Sequence, residues 1–403
     1  MSDAAIRQAL ILAGGKGTRL GEITRAVPKP MLPIAGGRPF LDYLLEMIER
    51  HGYEDIILLG GYLGEVLAAA YDGRQIGDAK IRVLLEEVPL GTAGALTVAR
   101  EALDPRFLMM NGDAFFDINL RALEQASHQS GAMATLALRS VGDAARYGRV
   151  IEEHGKVVAF LEKDPSRSGP GVINGGIYVL RREILDLVPN LPCSLEQDVF
   201  PALVERGEIR GKEFEGYFLD IGLPETLEQG HRELPKVRLR PAAILHRDAL
   251  VKLTDGDSFR PEAFQWTQGA VEAIRALNDR GYYVLVAGHQ SGGEQTSRGD
   301  LRRLNAAMQE RLAPEGAHVD RFAPGHRIDD ATRKPKSNGL FEGIWPIVGE
   351  RSFYIGATGD DIEAARSAGI LGHVFDGGDL ARFVHLLLAQ SVEDSATRRQ
   401  SPS

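Results

Sequence analysis

Cysteine is nearly absent from this chain, because Cys193 is the only one among its 403 residues. A single cysteine excludes an intrachain disulfide. Long hydrophobic runs are also lacking, and none approaches the roughly 18 residues that a membrane span needs. The N-terminal segment lacks the basic start, the apolar stretch and the small-residue cleavage site of a secretory signal. These absences predict a soluble, cytoplasmic protein without a membrane partner.

Positive charge is scarce as well. The chain has 47 lysines and arginines against 56 aspartates and glutamates, which gives a formal net charge of -9. A nucleic-acid surface needs a broad cluster of cations. The sequence therefore predicts no nucleic-acid partner. Any phosphate group must be bound by a few local cations, backbone amides or metal ions.

The length of the chain exceeds what one hydrophobic core usually supports, which favours two domains. Between about residues 231 and 241 the chain becomes polar and basic and contains two prolines, as is typical of a domain boundary. We predict a first domain over 1–234, a linker over 235–241 and a second domain over 242–390. The last residues, 391–403, show no periodicity and are predicted to be a disordered tail.

Strand-like and helix-like segments alternate along both domains. In the first domain, strands are predicted over 8–13, 55–59, 81–85 and 107–110, and helices over 40–51, 64–71 and 94–102. In the second, strands are predicted over 242–245, 283–287 and 352–355, and helices over 268–280, 300–311 and 361–368. This pattern predicts a doubly wound, mostly parallel α/β sheet followed by another α/β domain. Ligands of such sheets bind beyond the carboxyl ends of strands, where Gly14 and Asp113 stand.

Residues suited to binding phosphate follow the first strand. Glycines let backbone N–H groups converge on an anion, and the turn Gly14-Gly15-Lys16-Gly17-Thr18-Arg19 combines them with a cation. A little further on, Pro28-Lys29-Pro30 holds a lysine between two stiff residues, which restricts where its ammonium group points. A glycine-rich turn alone is a weak signal. The two features together predict a phosphate site.

These two segments open a series of motifs that resembles the sugar-1-phosphate nucleotidyltransferases, which have a GT-A or Rossmann-like fold. The motifs are Gly14–Leu20, Pro28–Pro33, Pro89–Ala95, Asn111–Asp113, Asn174–Tyr178 and Asp220–Gly222, and they span residues 8–234. The resemblance implies an enzyme that joins a nucleoside triphosphate to a sugar 1-phosphate. The sugar-phosphate oxygen attacks the α-phosphorus in line and pyrophosphate leaves, so positioning and charge neutralisation carry the catalysis.

The resemblance also implies the site residues. The catalytic ones are Arg19, Lys29, Asp113 and Lys163, and Asp113 and Asp220 hold Mg²⁺, which prefers hard oxygen ligands. The nucleotide-binding ones are Leu12, Ala13, Gly14, Gly15, Gly17, Thr18, Arg19, Glu86, Pro89, Gly91, Thr92 and Asp113. The sugar-binding ones are Tyr147, Gly148, Glu162, Lys163, Asn174 and Gly175. Two alternatives stay open: Lys163 as a solvated surface residue, and Tyr147-Gly148 as a strand edge and turn.

Two further features of the sequence indicate which nucleotide base and which acceptor sugar the enzyme uses. Guanine offers two adjacent donors that one carboxylate can accept, and Glu86 stands just before the base-contacting turn of the family, which favours GTP. The alternative is that Glu86 and Glu87 are plain surface acids. A closer resemblance, on the motifs Asn111–Asp117, Arg146–Val150 and Phe218–Glu225, is to the D-glycero-D-manno-heptose-1-phosphate guanylyltransferases. Mannose 1-phosphate and cyclitol phosphates stay open as acceptors.

The second domain resembles the haloacid-dehalogenase-like phosphatases that act on heptose bisphosphate and histidinol phosphate, on the motifs Ala243–Asp248, Gln290–Gly292, Arg333–Lys336 and Ile355–Ala364. Such enzymes need a nucleophilic aspartate and an acidic metal site. Here His246 replaces the nucleophile, Gly288 a phosphate-binding hydroxyl residue and Ala357 a metal ligand. Three of the expected residues remain: Asp248, Lys334 and Asp361. We predict a catalytically inactive domain with a structural, oligomerising or sensing role.

Two other functions stay open from the sequence. One is a bifunctional transferase and phosphatase, which the residues His246 and Ala357 oppose. The other is a sensor of sugar nucleotides without turnover, which the retained cations and carboxylates of the first domain oppose. A homo-oligomer formed through the second domain is expected by analogy, since a fold that has lost its reaction usually persists for another reason.

Overall fold

A computed structural model of the chain describes residues 4–145, 147–161, 168–252, 263–287, 298–323 and 346–399. The chain divides into two compact units, Met1–Val237 and Arg238–Ser403, named here the N-terminal unit and the C-terminal unit. The division falls inside the stretch in which we predicted the linker. None of the described helices combines the length and the hydrophobicity that crossing a bilayer requires.

The N-terminal unit is built around a ten-stranded sheet with the order β3, β4, β2, β1, β5, β10, β7, β11, β9, β8. The strands of the sheet are β1 (Gln8–Leu12), β2 (Asp55–Gly60), β3 (Gln75–Ile76), β4 (Ala79–Leu85), β5 (Arg106–Asn111), β7 (Ala134–Val141), β8 (Arg149–Glu153), β9 (Lys156–Leu161), β10 (Gly171–Arg181) and β11 (Ile209–Glu213). A separate ribbon is formed by β6 (Ala114–Phe116) and β12 (Phe218–Asp220). The helices are α1 (Phe40–Arg50), α2 (Gly64–Tyr71), α3 (Gly91–Val98), α4 (Leu120–Ser130), α5 (Phe200–Arg206) and α6 (Pro224–Val237).

The first half of this sheet is parallel, as the alternation of strands and helices predicts. β4, β2, β1 and β5 pair in parallel in that order. Both faces are covered, because Ile11 of β1 packs in one hydrophobic core with residues of α1 and Leu10 packs in another with residues of α3 and α5. Burial on both faces explains why β1 is an uninterrupted apolar run. Helix α3 begins at Gly91, earlier than the predicted residue 94.

The second half of the sheet is mixed, which corrects the predicted mostly parallel arrangement. β10 pairs antiparallel with both β5 and β7, and β8 pairs antiparallel with β9, whereas β7 and β11 are parallel. The described residues between 134 and 181 contain no helix. β8 and β9 are joined by the short turn His154-Gly155, and a short turn can join only antiparallel neighbours.

A buried ion pair on α4 holds the beginning of the chain. The side chains of Arg121 and Glu124 are 4% and 0% exposed. The Arg121 guanidinium donates to the carbonyl oxygens of Ile6 and His51, each at 2.8 Å, and Glu124 accepts the Ile6 N–H at 2.7 Å. Burial alone would raise the pKa of Glu124, but the charge of Arg121 and hydrogen bonds hold it below its usual range.

We expect Glu124→Ala to lower the free energy of unfolding by about 3–5 kcal/mol, because Arg121 then stays charged and buried without its partner. Urea denaturation followed by far-UV circular dichroism measures the loss. The control is Glu65→Ala on α2, where the side chain is exposed and the expected change is within about 0.5 kcal/mol. Equal losses in the two variants would contradict the assigned role of the ion pair.

The C-terminal unit contains a five-stranded sheet with the order β17, β16, β13, β18, β19, parallel in its described pairings. Its strands are β13 (Ala242–His246), β16 (Tyr283–Ala287), β17 (Arg321–Phe322), β18 (Phe353–Gly356) and β19 (Leu371–Val374), and β14 (Val251–Lys252) pairs with β15 (Gln265–Trp266). The helices are α7 (Arg247–Leu250), α8 (Ala270–Asp279), α9 (Arg298–Leu312), α10 (Gly359–Ser367) and α11 (Leu380–Arg399). This is the parallel α/β arrangement that the sequence predicts.

Two predicted irregular stretches are partly helical. Helix α6 continues through Pro235 to Val237, into the predicted linker. Helix α11 extends to Arg399, although we predicted disorder from residue 391. The earlier part of α11 is anchored in the core by Val384 and Leu388. Once a helix has formed its first turn, adding further residues costs little free energy. A helix can therefore continue beyond the apolar residues from which it is predicted.

Candidate active site

The carboxyl ends of β1, β2 and β4 meet at one cavity. The Tyr62 N–H donates to the Gly14 carbonyl at 3.0 Å, and the Glu86 N–H donates to the Gly60 carbonyl at 2.9 Å. The cavity, of about 540 Å³, is named here the glycine-loop pocket. It is lined by Leu12, Gly14, Gly15, Lys16, Leu59, Gly61, Tyr62, Glu86, Glu87, Val88, Pro89, Gly91, Thr92 and Ala95.

Most of the predicted nucleotide-binding residues line this pocket, namely Leu12, Gly14, Gly15, Glu86, Pro89, Gly91 and Thr92. Ala13 is 2% exposed and lies behind it. Gly17, which has a positive φ of 61°, and Thr18 continue the loop toward Arg19. Lys16, Gly61, Tyr62 and Glu87 are lining residues that were not predicted.

Glu86 lies within the glycine-loop pocket rather than on a free surface. A Cβ atom added to Gly14 would stand 2.7 Å from its Oε1 atom, and one added to Gly61 would collide with that atom. The Leu90 N–H donates to its Oε2 atom at 3.3 Å. Burial raises the pKa of Glu86, and the hydrogen bond from Leu90 opposes that rise. Two glycines therefore make room for this one carboxylate.

A second cavity, of about 440 Å³, is named here the acidic pocket. It is lined by Arg19, Asn111, Asp113, Ala114, Tyr147, Gly148, Phe160, Leu161, Asn174, Gly175, Gly176, Ser194, Glu196, Gln197, Pro201, Phe218 and Asp220. The structure thus brings four predicted sugar-binding residues, Tyr147, Gly148, Asn174 and Gly175, together with Arg19 and the two predicted metal ligands. Glu162 and Lys163 lie outside the described residues.

The ribbon of β6 and β12 brings the two aspartates together. Asp220 pairs with Ala114 in this ribbon, and the Ile221 N–H donates to the Asp113 carbonyl at 3.0 Å. The turn before Asp113 is tied to the end of β1, since the Gly112 N–H donates to a β1 carbonyl at 2.9 Å. Residues far apart in the sequence therefore present their carboxylates at one place.

Lys29 lies against both aspartates. Its side chain is 6% exposed, and its Nζ atom is 2.7 Å from Asp113 Oδ2 and 3.8 Å from Asp220 Oδ1. It belongs to a short 3₁₀ turn, Lys29–Met31, that begins after Pro28. The resemblance implied a contact between Lys29 and phosphate groups. In this structure the ammonium group contacts the two carboxylates, and Lys29 is not among the residues that line either pocket. Its contact with phosphate groups stays a prediction.

The charges at Asp220 are not fully balanced. Burial raises its pKa, and the neighbouring charge of Asp113 raises it further, against the opposing charges of Lys29 and Arg19. Arg19 packs close by: a Cβ atom on Gly222 would lie 2.9 Å from Arg19 Nη2 and 2.7 Å from Asp220 Oδ1. A larger residue at 222 would displace one or both of these side-chain groups. Within the described ranges, no cluster of three or more His, Cys, Asp or Glu side chains is suited to a metal ion.

Several residues of the acidic pocket were not predicted, among them Asn111, Ser194, Glu196 and Gln197. The signal available was the polar run Ser194–Asp198 between apolar stretches, which is also typical of a surface turn. Backbone hydrogen bonds connect this run to helix α3, because the Cys193 carbonyl accepts the N–H groups of Ala93 and Gly94 at 3.0 and 3.1 Å. This pairing fastens the polar run to the beginning of α3.

The C-terminal unit brings four predicted phosphatase-like positions together. His246 ends β13, with its Nδ1 atom 3.8 Å from Asp248 Oδ2 and its Nε2 atom 3.8 Å from Asp361 Oδ1. Asp361 Oδ2 accepts the N–H groups of Ala357 and Thr358, each at 2.9 Å. Asp361 therefore caps helix α10. Gly288 and Lys334 lie outside the described residues.

Comparisons with known proteins agree with this geometry in the N-terminal unit. The mannose-1-phosphate guanylyltransferase of Mycobacterium tuberculosis is 38% identical over 264 residues, which are 63% of this chain and 72% of that protein. The D-glycero-alpha-D-manno-heptose 1-phosphate guanylyltransferase of Campylobacter jejuni is 37% identical over 223 residues, which are 54% of this chain and 96% of that protein.

Solved structures resemble the same part of the chain. HddC from Yersinia pseudotuberculosis, solved alone and complexed with GMP-PN, is 30% and 31% identical, with a TM-score of 0.51 in both cases. The match covers 57% of this chain and 100% of HddC. At the level of the family, residues 8–237, more than half of the chain, match the Nucleotidyl transferase family. This chain therefore belongs to the Nucleotidyl transferase family.

Proposed function

We propose that the N-terminal unit transfers GMP from GTP to a sugar 1-phosphate, with D-glycero-D-manno-heptose 1-phosphate as the first candidate acceptor, and releases pyrophosphate. The observation that carries the proposal is the Glu86 carboxylate inside the glycine-loop pocket. The glycine-rich turn that lines the same pocket continues to Arg19, which lines the acidic pocket. The names of the Mycobacterium and Campylobacter relatives support guanylyl transfer.

Guanine recognition follows from the chemistry of Glu86. A guanine base has a ring N–H and an exocyclic amine side by side, and an ionised carboxylate accepts both hydrogen bonds. Gly14 and Gly61 leave the space in which this carboxylate lies. Glu87, which also lines the pocket but is exposed, is the alternative acceptor for the same donors.

Glu86→Gln is expected to raise KM for GTP by about 10- to 100-fold, because an amide cannot accept both donors and a hydrogen bond to a charged group is lost. Pyrophosphate release measured with GTP, ATP, UTP and dTTP in turn tests this and should reveal a weakened preference for GTP. Glu87→Gln is the matched comparison. If Glu87→Gln has the larger effect on KM for GTP, the assignment to Glu86 is wrong.

The pH dependence of GTP binding gives a second test of the same residue. Because burial raises the pKa of Glu86, its carboxylate is protonated at a higher pH than an ordinary glutamate as the solution is acidified. A protonated carboxyl loses its capacity to accept both donors, so KM for GTP rises on acidification. We expect Glu86→Gln to abolish this rise when KM is measured across a pH series. A rise of the same size in the variant would rule Glu86 out as its origin.

The donor set of Asp113 and Asp220 fits a magnesium ion. Both supply hard carboxylate oxygens, the ligands that Mg²⁺ prefers, and protein sites for Mg²⁺ commonly use one or two carboxylates with substrate phosphates. The two carboxylates lie near the same ammonium group, with Lys29 Nζ 2.7 Å from Asp113 Oδ2 and 3.8 Å from Asp220 Oδ1. When bound, Mg²⁺ neutralises phosphate charge and orients the triphosphate.

The other roles in catalysis are assigned to residues of this chain. The glycine loop offers backbone N–H groups to phosphate oxygens, and Arg19 neutralises the leaving pyrophosphate as the bond between the α-phosphorus and the bridging oxygen breaks. Lys29 contacts both Asp113 and Asp220, at 2.7 and 3.8 Å, and so holds the two carboxylates close together. The acidic pocket orients the sugar so that its phosphate oxygen attacks in line, and this orientation supplies much of the rate.

The acceptor is decided in the acidic pocket. Asn111 Oδ1 is buried there and has no hydrogen-bond partner among the described residues. The side chains of Asn174 and Gln197 line the same pocket and offer polar groups to sugar hydroxyls. Mannose 1-phosphate is the second candidate acceptor, since the Mycobacterium relative carries that name. Relative kcat/KM values for the two sugar phosphates with GTP distinguish them.

We infer that the C-terminal unit has no phosphatase activity. A histidine stands at the end of β13, where the resemblance implies a nucleophilic aspartate, and Asp361 is bound by the cap of α10. Full-length Asp113→Ala, in which transfer is suppressed, should release no phosphate from heptose bisphosphate in the presence of Mg²⁺. Release at an ordinary enzymatic rate would contradict this inference. Homo-oligomer formation through this unit stays a prediction.

A further inference from the structure

A chain of hydrogen bonds, named here the relay, runs through Asn174, Tyr178, Glu196 and Thr92. Asn174 Nδ2 donates to the Tyr178 hydroxyl at 2.8 Å, and that hydroxyl donates to Glu196 Oε1 at 3.4 Å. Glu196 Oε2 accepts the Thr92 hydroxyl at 3.1 Å. Asn174 and Glu196 line the acidic pocket, whereas Thr92 lines the glycine-loop pocket. The relay therefore connects the two cavities.

The relay determines which atoms Asn174 presents to a ligand. Its Oδ1 atom accepts the Gly176 N–H at 3.0 Å, while its Nδ2 atom donates to Tyr178. A carboxamide has two N–H donors and two lone pairs, so one donor and one lone pair remain for the pocket. Without the Tyr178 hydroxyl, the amide would keep the contact of its Oδ1 atom with Gly176 but lose the contact that holds its Nδ2 atom.

The negative charge of Glu196 determines which group donates each hydrogen bond in the relay. Tyr178 is fully buried, and burial, reinforced by the charge of Glu196, raises its pKa well above the usual value. The phenol accordingly stays neutral. Its single hydrogen is directed at Glu196, because an ionised carboxylate has only acceptors to offer, and its oxygen accepts hydrogen bonds from Asn174 and from Asn111.

The far end of the relay is held by several bonds. Glu196 Oε2 also accepts the Ser194 hydroxyl at 3.2 Å, and the Leu195 N–H donates to the Thr92 hydroxyl at 2.8 Å. The carboxylate is therefore fixed by the beginning of α3 and by its own turn. Rigid support of this kind is what keeps a binding group in its productive orientation.

We propose that Glu196 is a positioning residue for the sugar, because it orients the Asn174 amide through Tyr178 and is itself held by Thr92. This inference rests on the proposed transfer to a sugar 1-phosphate and extends it to a residue of the pocket lining that acts through Tyr178 and Asn174. It implies a selective effect: loss of the relay weakens sugar binding while nucleotide binding and the chemical step are largely preserved.

The test compares Glu196→Gln and Tyr178→Phe with wild type in the pyrophosphate assay, using GTP and the sugar 1-phosphate that wild type prefers. Glu196→Gln removes the charge of the carboxylate, and Tyr178→Phe removes the hydroxyl that joins Asn174 to Glu196; both keep the shape of the side chain nearly unchanged. We expect KM for the sugar 1-phosphate to rise about tenfold in each, as for the loss of one hydrogen bond, with kcat and KM for GTP changed less than about threefold. The double variant should be no worse than about the poorer single one, because both break the same relay.

The control is Asp198→Asn, a neighbouring acid on the same turn. Its carboxylate is exposed and accepts the Ser194 N–H, a role that asparagine retains. The proposal is overturned if the relay variants match this control, if their effects on KM add fully, or if kcat, both KM values and the thermal midpoint all decline together. A wild type that transfers to no sugar phosphate would instead overturn the proposed function, and the inference with it.

Discussion

Asp113→Ala is expected to lower kcat for pyrophosphate release by about a thousandfold, the size of effect seen when a group that stabilises transition-state charge is lost. Asp113 Oδ2 is the atom nearest to Lys29 Nζ, at 2.7 Å, and its carboxylate is one of two proposed for Mg²⁺. The substitution therefore removes half of the proposed protein ligands and leaves Lys29 buried with one acid, Asp220, at 3.8 Å. Steady-state pyrophosphate release at saturating substrates measures the loss.

A second variant at position 113 separates the effect of charge from the effect of shape, and a variant at another exposed acid serves as the control. Asp113→Asn keeps the shape of the side chain but removes its charge, and we expect most of the loss to persist. Asp78→Ala removes an exposed acid in the turn between β3 and β4 and should leave kcat unchanged. Activity close to wild type in Asp113→Asn would contradict a charge-based role for Asp113.

Lys29→Met is expected to lower kcat by about a hundredfold or more, because the carboxylates of Asp113 and Asp220 then lack the ammonium group that pairs with both. Methionine has a similar length, so packing around the 6% exposed side chain is largely kept. Lys29→Arg should not restore the rate, since a planar guanidinium differs in shape and hydrogen-bonding geometry from an ammonium group. The measurement is kcat over a series of Mg²⁺ concentrations.

Lys80→Met is the control for Lys29→Met, because Lys80 is an exposed lysine of the same unit. Its kcat should match that of wild type. A Lys29→Met variant with wild-type kcat and unchanged Mg²⁺ dependence would show that Lys29 has no part in catalysis.

The parallel half of the N-terminal sheet was predictable from the sequence, and the mixed half was not. β1 is apolar at consecutive positions because both of its faces are covered, and helix α2 was predicted at its observed bounds, 64–71. In contrast, β8 and β9 alternate weakly, with Ile151 and Val158 exposed. Their pairing depends on a hairpin turn and on long-range contacts with β10 and β11, which no local pattern reveals.

The residues of the site also fall into those that the sequence predicted and those that it did not. Residues that belong to compact motifs, such as Arg19, Lys29 and Asp113, were predicted and lie at or beside the acidic pocket. Glu196 was missed because its partners Thr92 and Tyr178 are supplied by α3 and β10, so its role exists only in the folded chain. The sequence also could not reveal that Lys29 would be bound by carboxylates, because that contact depends on the pairing of β6 with β12.

The most direct test of the central claim is pyrophosphate release by the full-length protein with Mg²⁺, a panel of nucleoside triphosphates and a panel of sugar 1-phosphates that includes D-glycero-D-manno-heptose 1-phosphate and mannose 1-phosphate. We predict the highest kcat/KM with GTP and one of these two sugars, and loss of that activity in Asp113→Ala. Preference for another nucleotide would contradict guanine recognition by Glu86. Absence of release with every pair would contradict the proposed transfer itself.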